Sequence, residues 1–188
     1  MVQLTFVEKP LPAMDVAQIV DTISGLAEIG QRLGPMFRRL AMAMISHGVP
    51  PGEPSLAWYR PTENGLRIAA AFPVPPGAIA GLIGAGIDAA TLRPVACAVT
   101  TLHHGGMDTI GATWQALIGY ADAQGYQSVG TCRELYLHMP LHGDPDTWIT
   151  ELQQPVLRLD HRPLTAPQCP ATGTRRDGER GRQSAGPA

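Results

Sequence analysis

The chain carries little charge and few aromatic rings: 16% of its 188 residues are Asp, Glu, Lys or Arg, and 5% are Phe, Trp or Tyr. Its formal net charge is −2 and its isoelectric point about 6.3. Neutralising a phosphate backbone takes clustered Lys and Arg, so no direct nucleic-acid partner is expected. No long apolar run opens the chain, because Glu8, Lys9, Pro10, Pro12 and Asp15 interrupt it. Neither an export signal nor a membrane span is expected there. The three cysteines, Cys97, Cys132 and Cys169, are odd in number and lack a CxxC spacing. That fits neither a disulfide framework nor a zinc site and points to a reducing, cytoplasmic setting. No serine sits in a nucleophile elbow, and the GAG at 84–86 completes no dinucleotide-binding fingerprint. His103 and His104 would point to opposite sides of a strand, and His138 and His142 flank a Pro-containing turn. No metal and no cofactor is expected.

What is present is a core and a repeat. Apolar residues make up 44% of the chain, enough for one domain of ordinary size. From about Arg158 large apolar residues nearly vanish in favour of Pro, Gly, Arg and polar residues. A segment of that kind cannot offset the entropy of ordering it, so residues 158–188 are expected to form a disordered tail. Within residues 1–157, a shift of 77 positions aligns Leu33-Gly34 with Ile110-Gly111, Phe37 with Trp114, Leu40 with Leu117, Gly48 with Gly125 and Tyr59 with Tyr136. Two copies of one unit are expected, at about 1–75 and 91–157.

Each copy opens with a strand-like run, MDVAQIV or RPVACAV. A helix follows. Leu33, Met36, Phe37, Leu40 and Met44 recur at helical steps in the first copy, and Met107, Ile110, Trp114, Leu117, Ile118 and Ala121 in the second. Asp108 is the expected cap of the second helix. Pro35 is expected within the first turn of the first, where its missing N–H has no helical partner. Gly48 and Gly125 stand where the helices should stop. Two more strands close each copy: SLAWYR and LRIAAAF, then RELYLHM and TWITELQ. The Gly- and Pro-rich stretch between the copies is expected to be a crossover loop. The fold class is therefore α+β, a duplicated β-α-β-β arrangement with a cleft between the units.

Strand alternation assigns faces. If Leu135, Leu137 and Met139 pack on the helices, Glu134, Tyr136 and His138 face the open side, and Glu151 emerges beside Glu134. Tyr59 joins them from the first copy, which adds small walls at Ala57, Ala69 and Ala71. The candidate ligand-binding residues are Glu134, Tyr136, Glu151 and Tyr59. Carboxylates beside tyrosine rings suit a cationic, aromatic or amphiphilic small molecule. Arg67 falls on the same expected face and could pair with a carboxylate. Trp58, Trp114 and Trp148 read as core anchors by their bulk.

Several pieces also carry a family resemblance: the glycine-led start of the helix at Gly106, Gly125-Tyr126 at its end, R-E-L-Y-L at 133–137, T-E-L-x-x-P-V at 150–156, and the opening KPLPAMDVA. Together they resemble the GyrI-like effector-binding domain, found behind DNA-binding helices in MerR- and AraC-type regulators and also alone. The resemblance covers Val2 to Leu157. It implies duplicated SHS2-like units around a central cleft, with cleft acids at Glu134 and Glu151. No helix-turn-helix precedes the first strand here, so a stand-alone binding module is expected, one that holds or senses an amphiphilic or cationic compound. The family also implies two alternatives. One is a hydrolase of strained, cyclopropanoid-type electrophiles, with Glu134 as a general base. The other is a protein-interaction role such as gyrase modulation, with the Arg-containing tail as one contact. Binding is favoured over catalysis.

Overall fold

Helical spacing and glycine stops turn into two helices laid on one curled antiparallel sheet. The computed structural model describes residues 4–75, 87–140 and 143–159. In chain order the elements are β1 (Phe6–Leu11), β2 (Met14–Ile23), α1 (Ile29–Ser46), β3 (Ser55–Thr62), β4 (Gly65–Pro73), β5 (Asp88–Leu92), β6 (Val95–His104), α2 (Ile110–Ala123), β7 (Tyr126–Ser128), β8 (Cys132–His138) and β9 (Ile149–Arg158). The sheet runs β1-β6-β9-β8-β3-β4-β2-β5, with β7 added beside β9. The duplicated β-α-β-β order is thus present, as β2-α1-β3-β4 and β6-α2-β8-β9.

Both helices bury the faces that their spacing marks. Leu33, Met36, Leu40 and Met44 of α1 pack against Ala17, Ile19, Ile68 and Tyr59 of the sheet, while Leu117 and Ala121 of α2 pack against Cys97, Val99, Leu152 and Val156. Each fully buried Leu contributes roughly 1.5–3 kcal/mol of transfer free energy. Gly48 and Gly125 adopt φ of 73° and 78°, a left-handed turn that only glycine takes without strain. Two helix-start expectations are corrected. Pro35 is not in the first turn, because α1 begins at Ile29, directly after a short 3-10 turn over Leu26–Glu28. The position before α2 is filled by Thr109 rather than Asp108, and no side-chain cap forms there.

Three strands, β1, β5 and β7, were not expected, and the first two explain how the sheet curls. Only Pro12 and Ala13 separate β1 from β2, and only Arg93 and Pro94 separate β5 from β6, yet each pair lies far apart in the sheet order. Leu11 and Met14 cannot be more than about 11 Å apart. They pair with Val95 and Leu92, so the two short links run side by side and draw the sheet's ends together. The expected crossover loop therefore contains β5, which pairs with β2. On the sheet face away from the helices, Val16, Leu56, Trp58, Ala69 and Ala71 form a further buried cluster, with Leu135 packed against it. There Arg133 Nη2 donates to the Arg93 carbonyl at 2.9 Å and Trp58 Nε1 to Gln18 Oε1 at 2.8 Å.

β9 runs through Arg158, which pairs with Tyr126, one residue into the stretch that composition assigns to the tail. The remainder of that tail, from residue 160, lies outside the described residues. Cys97 is disulfide-bonded, so the expectation of three unpaired thiols fails there; Cys132 is free. Among the described residues no helix is long and apolar enough to cross a membrane.

Candidate functional site: a buried carboxylate between the repeats

The two repeats meet where β3 pairs with β8. Ala57 and Glu134, equivalent positions in the 77-residue register, are direct partners in that ladder, so the local two-fold passes between them. Residues near such an axis meet their own counterparts. Tyr59 and Tyr136, two positions beyond Ala57 and Glu134, reach back toward the axis from either side.

Glu134 is 4% exposed, and its carboxylate collects three donors from three elements. Tyr59 of β3 donates its hydroxyl to Oε2 at 2.7 Å, and Tyr136 of β8 donates to the same oxygen at 2.9 Å. Trp114 of α2 donates its indole N–H to Oε1 at 2.8 Å. A buried carboxylate is costly unless hydrogen-bonded, and these three bonds fill three of its roughly four acceptor directions. Phe37 of α1 closes the other side, edge-on to both Tyr136 and Phe72 with ring centroids 5.6 Å apart in each pair. Phe37 and Trp114 are themselves repeat equivalents, so each helix presents one aromatic ring to the axis. Met107, Cys132 and Met139 pack at the margin of this cluster.

The electrostatics follow from burial. Desolvation raises the Tyr59 hydroxyl well above its usual pKa of 10, and Tyr136 and the charge of Glu134 push it further. Desolvation followed by Glu134 does the same to Tyr136. Burial first and Glu134 second push the Cys132 thiol up to about 12. A phenol whose pKa is raised on folding contributes stability that is complete below the unfolded value near 10 and is lost as pH rises above it. In an ultraviolet pH titration, Tyr59 and Tyr136 are therefore expected to ionise only as the protein unfolds. Their ionisation near pH 10 with circular dichroism unchanged would contradict the buried arrangement.

The structure brings Tyr59, Glu134 and Tyr136 together but separates Glu151 from them. Glu134 stands opposite Leu152 in the β8–β9 ladder, and Leu135 stands opposite Glu151, so the two glutamates lie on opposite sheet faces. Glu151 instead meets Lys9 Nζ at 2.6 Å. The expected faces of β8 are inverted: Glu134 and Tyr136 face the helices, Leu135 packs on the other side, and Leu137 and His138 are exposed. Ala69 and Ala71 likewise belong to the far face, where alternation from Ile68 and Ala70 also places Arg67, while Ala57 stays beside Glu134. Trp114 reads from its bulk as a core anchor, yet its indole N–H reaches Glu134. The signal that could have found it is its register with Phe37. Trp58 is buried as expected. Of the histidines, His103 is buried against Thr113 at 2.8 Å and His104 is exposed. No cluster of three metal-ligating side chains occurs among the described residues.

Residues 5–157 match the GyrI-like small molecule binding domain. The chain belongs to that family. Solved structures similar to this GyrI-like domain include the C-terminal domain of EcmrR, at 19% identity and TM-score 0.66, covering 84% of this chain and 100% of that one. SAV2435 bound to tetraphenylphosphonium is similar at 16% identity and TM-score 0.63, covering 84% and 96%. A hydrolase from Listeria innocua is similar at 13% identity and TM-score 0.57, covering 80% and 91%. At such identities these likenesses speak to the fold. No curated protein sequence matches.

Proposed function

We propose that this GyrI-like domain binds an amphiphilic, cationic small molecule in the cleft between its repeats, with Glu134 as the anionic anchor and Tyr59, Tyr136 and Trp114 around it. The observation that carries the proposal is the Glu134 carboxylate, buried on the repeat axis with three ring donors around it and no Lys or Arg ion pair among the described residues. A cation brought beside it gains charge attraction in a poorly hydrated setting and contact with aromatic faces. The SAV2435 structure, whose fold this chain shares, holds tetraphenylphosphonium, a ligand of that chemistry. Sensing or sequestering such a compound is the role that follows.

Catalysis has less support. A general base must present a lone pair to water, and three of the four acceptor directions on Glu134 are already filled. Incubation with electrophilic cyclopropane compounds and mass spectrometry for ring-opened product tests that alternative. The protein-interaction alternative rests on the tail, outside the described residues.

A thermal-shift series comparing lipophilic cations with neutral analogues of similar size tests the binding proposal. Stabilisation is expected for the cations, growing with their concentration by mass action. Equal shifts for neutral and cationic compounds would remove Glu134 from the account, and no shift for either would remove the ligand class.

A further inference from the structure

Glu151, displaced from the Glu134 cleft, lines a separate cavity of about 330 Å³ on the opposite sheet face, where β1 of the first repeat lies against β6 and near β9 of the second. Its apolar wall is formed by Leu4, Val7 and Leu102, the last two 48% and 41% exposed. Two of its hydroxyls are engaged within the sheet. The Thr100 and Thr101 hydroxyls donate to the carbonyls of Val7 and Thr5, which ties β1 down. The exposed His104 ring and Thr5 side chain stand at its rim, and the charged pair open to a ligand is the Lys9 ammonium and the Glu151 carboxylate. Lys9 is the sole lysine of the sequence. Its ion pair with Glu151 and the hydrogen bond from Gln153 Nε2 at 3.0 Å both converge on Oε1, so Oε2 is the oxygen open to a ligand. The ammonium has three N–H donors.

An ordinary surface ion pair leaves both partners hydrated and contributes little. Here Lys9 is 40% exposed but the Glu151 side chain only 14%, while Val7 and Leu102 beside it stand open. For Glu151 that inverts the usual partition of polar and apolar groups. We propose that this cavity is a second small-molecule site, for a zwitterion of the α-amino-acid type with an apolar side chain. The ligand carboxylate meets Lys9 Nζ, its ammonium meets Glu151 Oε2, and its apolar part covers Val7 and Leu102. The volume lies at the low end for ligand sites, which fits a single amino acid rather than a peptide. The site is independent of the Glu134 cleft.

With one lysine in the sequence, full-length protein grown on 15N-lysine gives one lysine amide signal in a heteronuclear correlation spectrum, that of Lys9. Titration with L-leucine and L-phenylalanine is expected to shift it saturably. N-acetyl-L-phenylalanine, without the ammonium, and phenethylamine, without the carboxylate, are expected to act at least tenfold more weakly. Glu151→Gln, and separately Leu102→Glu at the exposed wall, are expected to abolish the response while leaving the thermal stabilisation by tetraphenylphosphonium unchanged. No saturable shift up to about 20 mM amino acid, weaker than most small-molecule affinities, would overturn the proposal. So would an equal response to all four compounds, or a response that survives both substitutions.

Discussion

Glu134→Ala is expected to lower the free energy of unfolding by roughly 3–5 kcal/mol, because it orphans the Tyr59 and Tyr136 hydroxyls inside the protein and opens a small void beside them. Each buried donor without an acceptor costs about 1–3 kcal/mol. Trp114, only half-buried, can turn to water and adds less. Such a loss is a large part of a domain's usual margin of about 5–15 kcal/mol. Glu134→Gln should cost less, about 1–2 kcal/mol. Its amide oxygen can still accept from both tyrosines, while its NH2 group faces the Trp114 N–H. Urea denaturation that gives Glu134→Ala the wild-type midpoint would show that these donors find other partners and that the carboxylate does not organise the repeat axis.

Leu40→Ala and Leu117→Ala are expected to cost about 2–5 kcal/mol each, and similar amounts. The two leucines are repeat equivalents, one on each helix, and both are fully buried. Their cost comes from lost transfer free energy plus the cavity left against a sheet that cannot collapse inward. Ile45→Ala on the outer face of α1, where Ile45 is 64% exposed, should fall within about 0.5 kcal/mol of wild type. Thermal or urea unfolding measures all three. A negligible effect at Leu117 with a large one at Leu40 would mean that the repeats do not share the load.

The duplicated fold was legible because the signals for it are patterns in the sequence itself. Helix faces obey a 3.6-residue period, glycines with left-handed backbone stop each helix, and the 77-residue register connects the copies. The faces of β8 were not legible for a physical reason. The sheet is buried on both sides, so Leu135 and Tyr136 are both apolar choices and alternation cannot tell which one meets a helix. Glu151 lies on the face away from the helices, as alternation from Leu152 expects, and the inverted face of Glu134 is what parts the two glutamates. β5 was hidden in a Gly- and Pro-rich run because DAATL has little pattern of its own and is held by pairing with β2, far away in sequence. Trp114 was read as core because bulk on a helical stripe usually means that. Only the tertiary contact shows its N–H turned to Glu134.

Glu134, Tyr59 and Tyr136 stay together despite the error in face because they move together. Inverting a strand keeps alternate residues on one side, and the 77-residue register ties Tyr59 to Tyr136 whichever side that is. Their mutual hydrogen bonds were not foreseeable from spacing, since they depend on Ala57 and Glu134 being partners in the ladder where the copies meet.

The central claim is that the buried charge of Glu134 selects a cationic ligand. Isothermal titration of tetraphenylphosphonium into wild type and Glu134→Gln, each checked for folding by circular dichroism, tests it most directly. The account predicts a measurable affinity in wild type and a loss of about tenfold to a hundredfold in the variant, equivalent to about 1.4–2.8 kcal/mol. Affinities equal in the two proteins would contradict it.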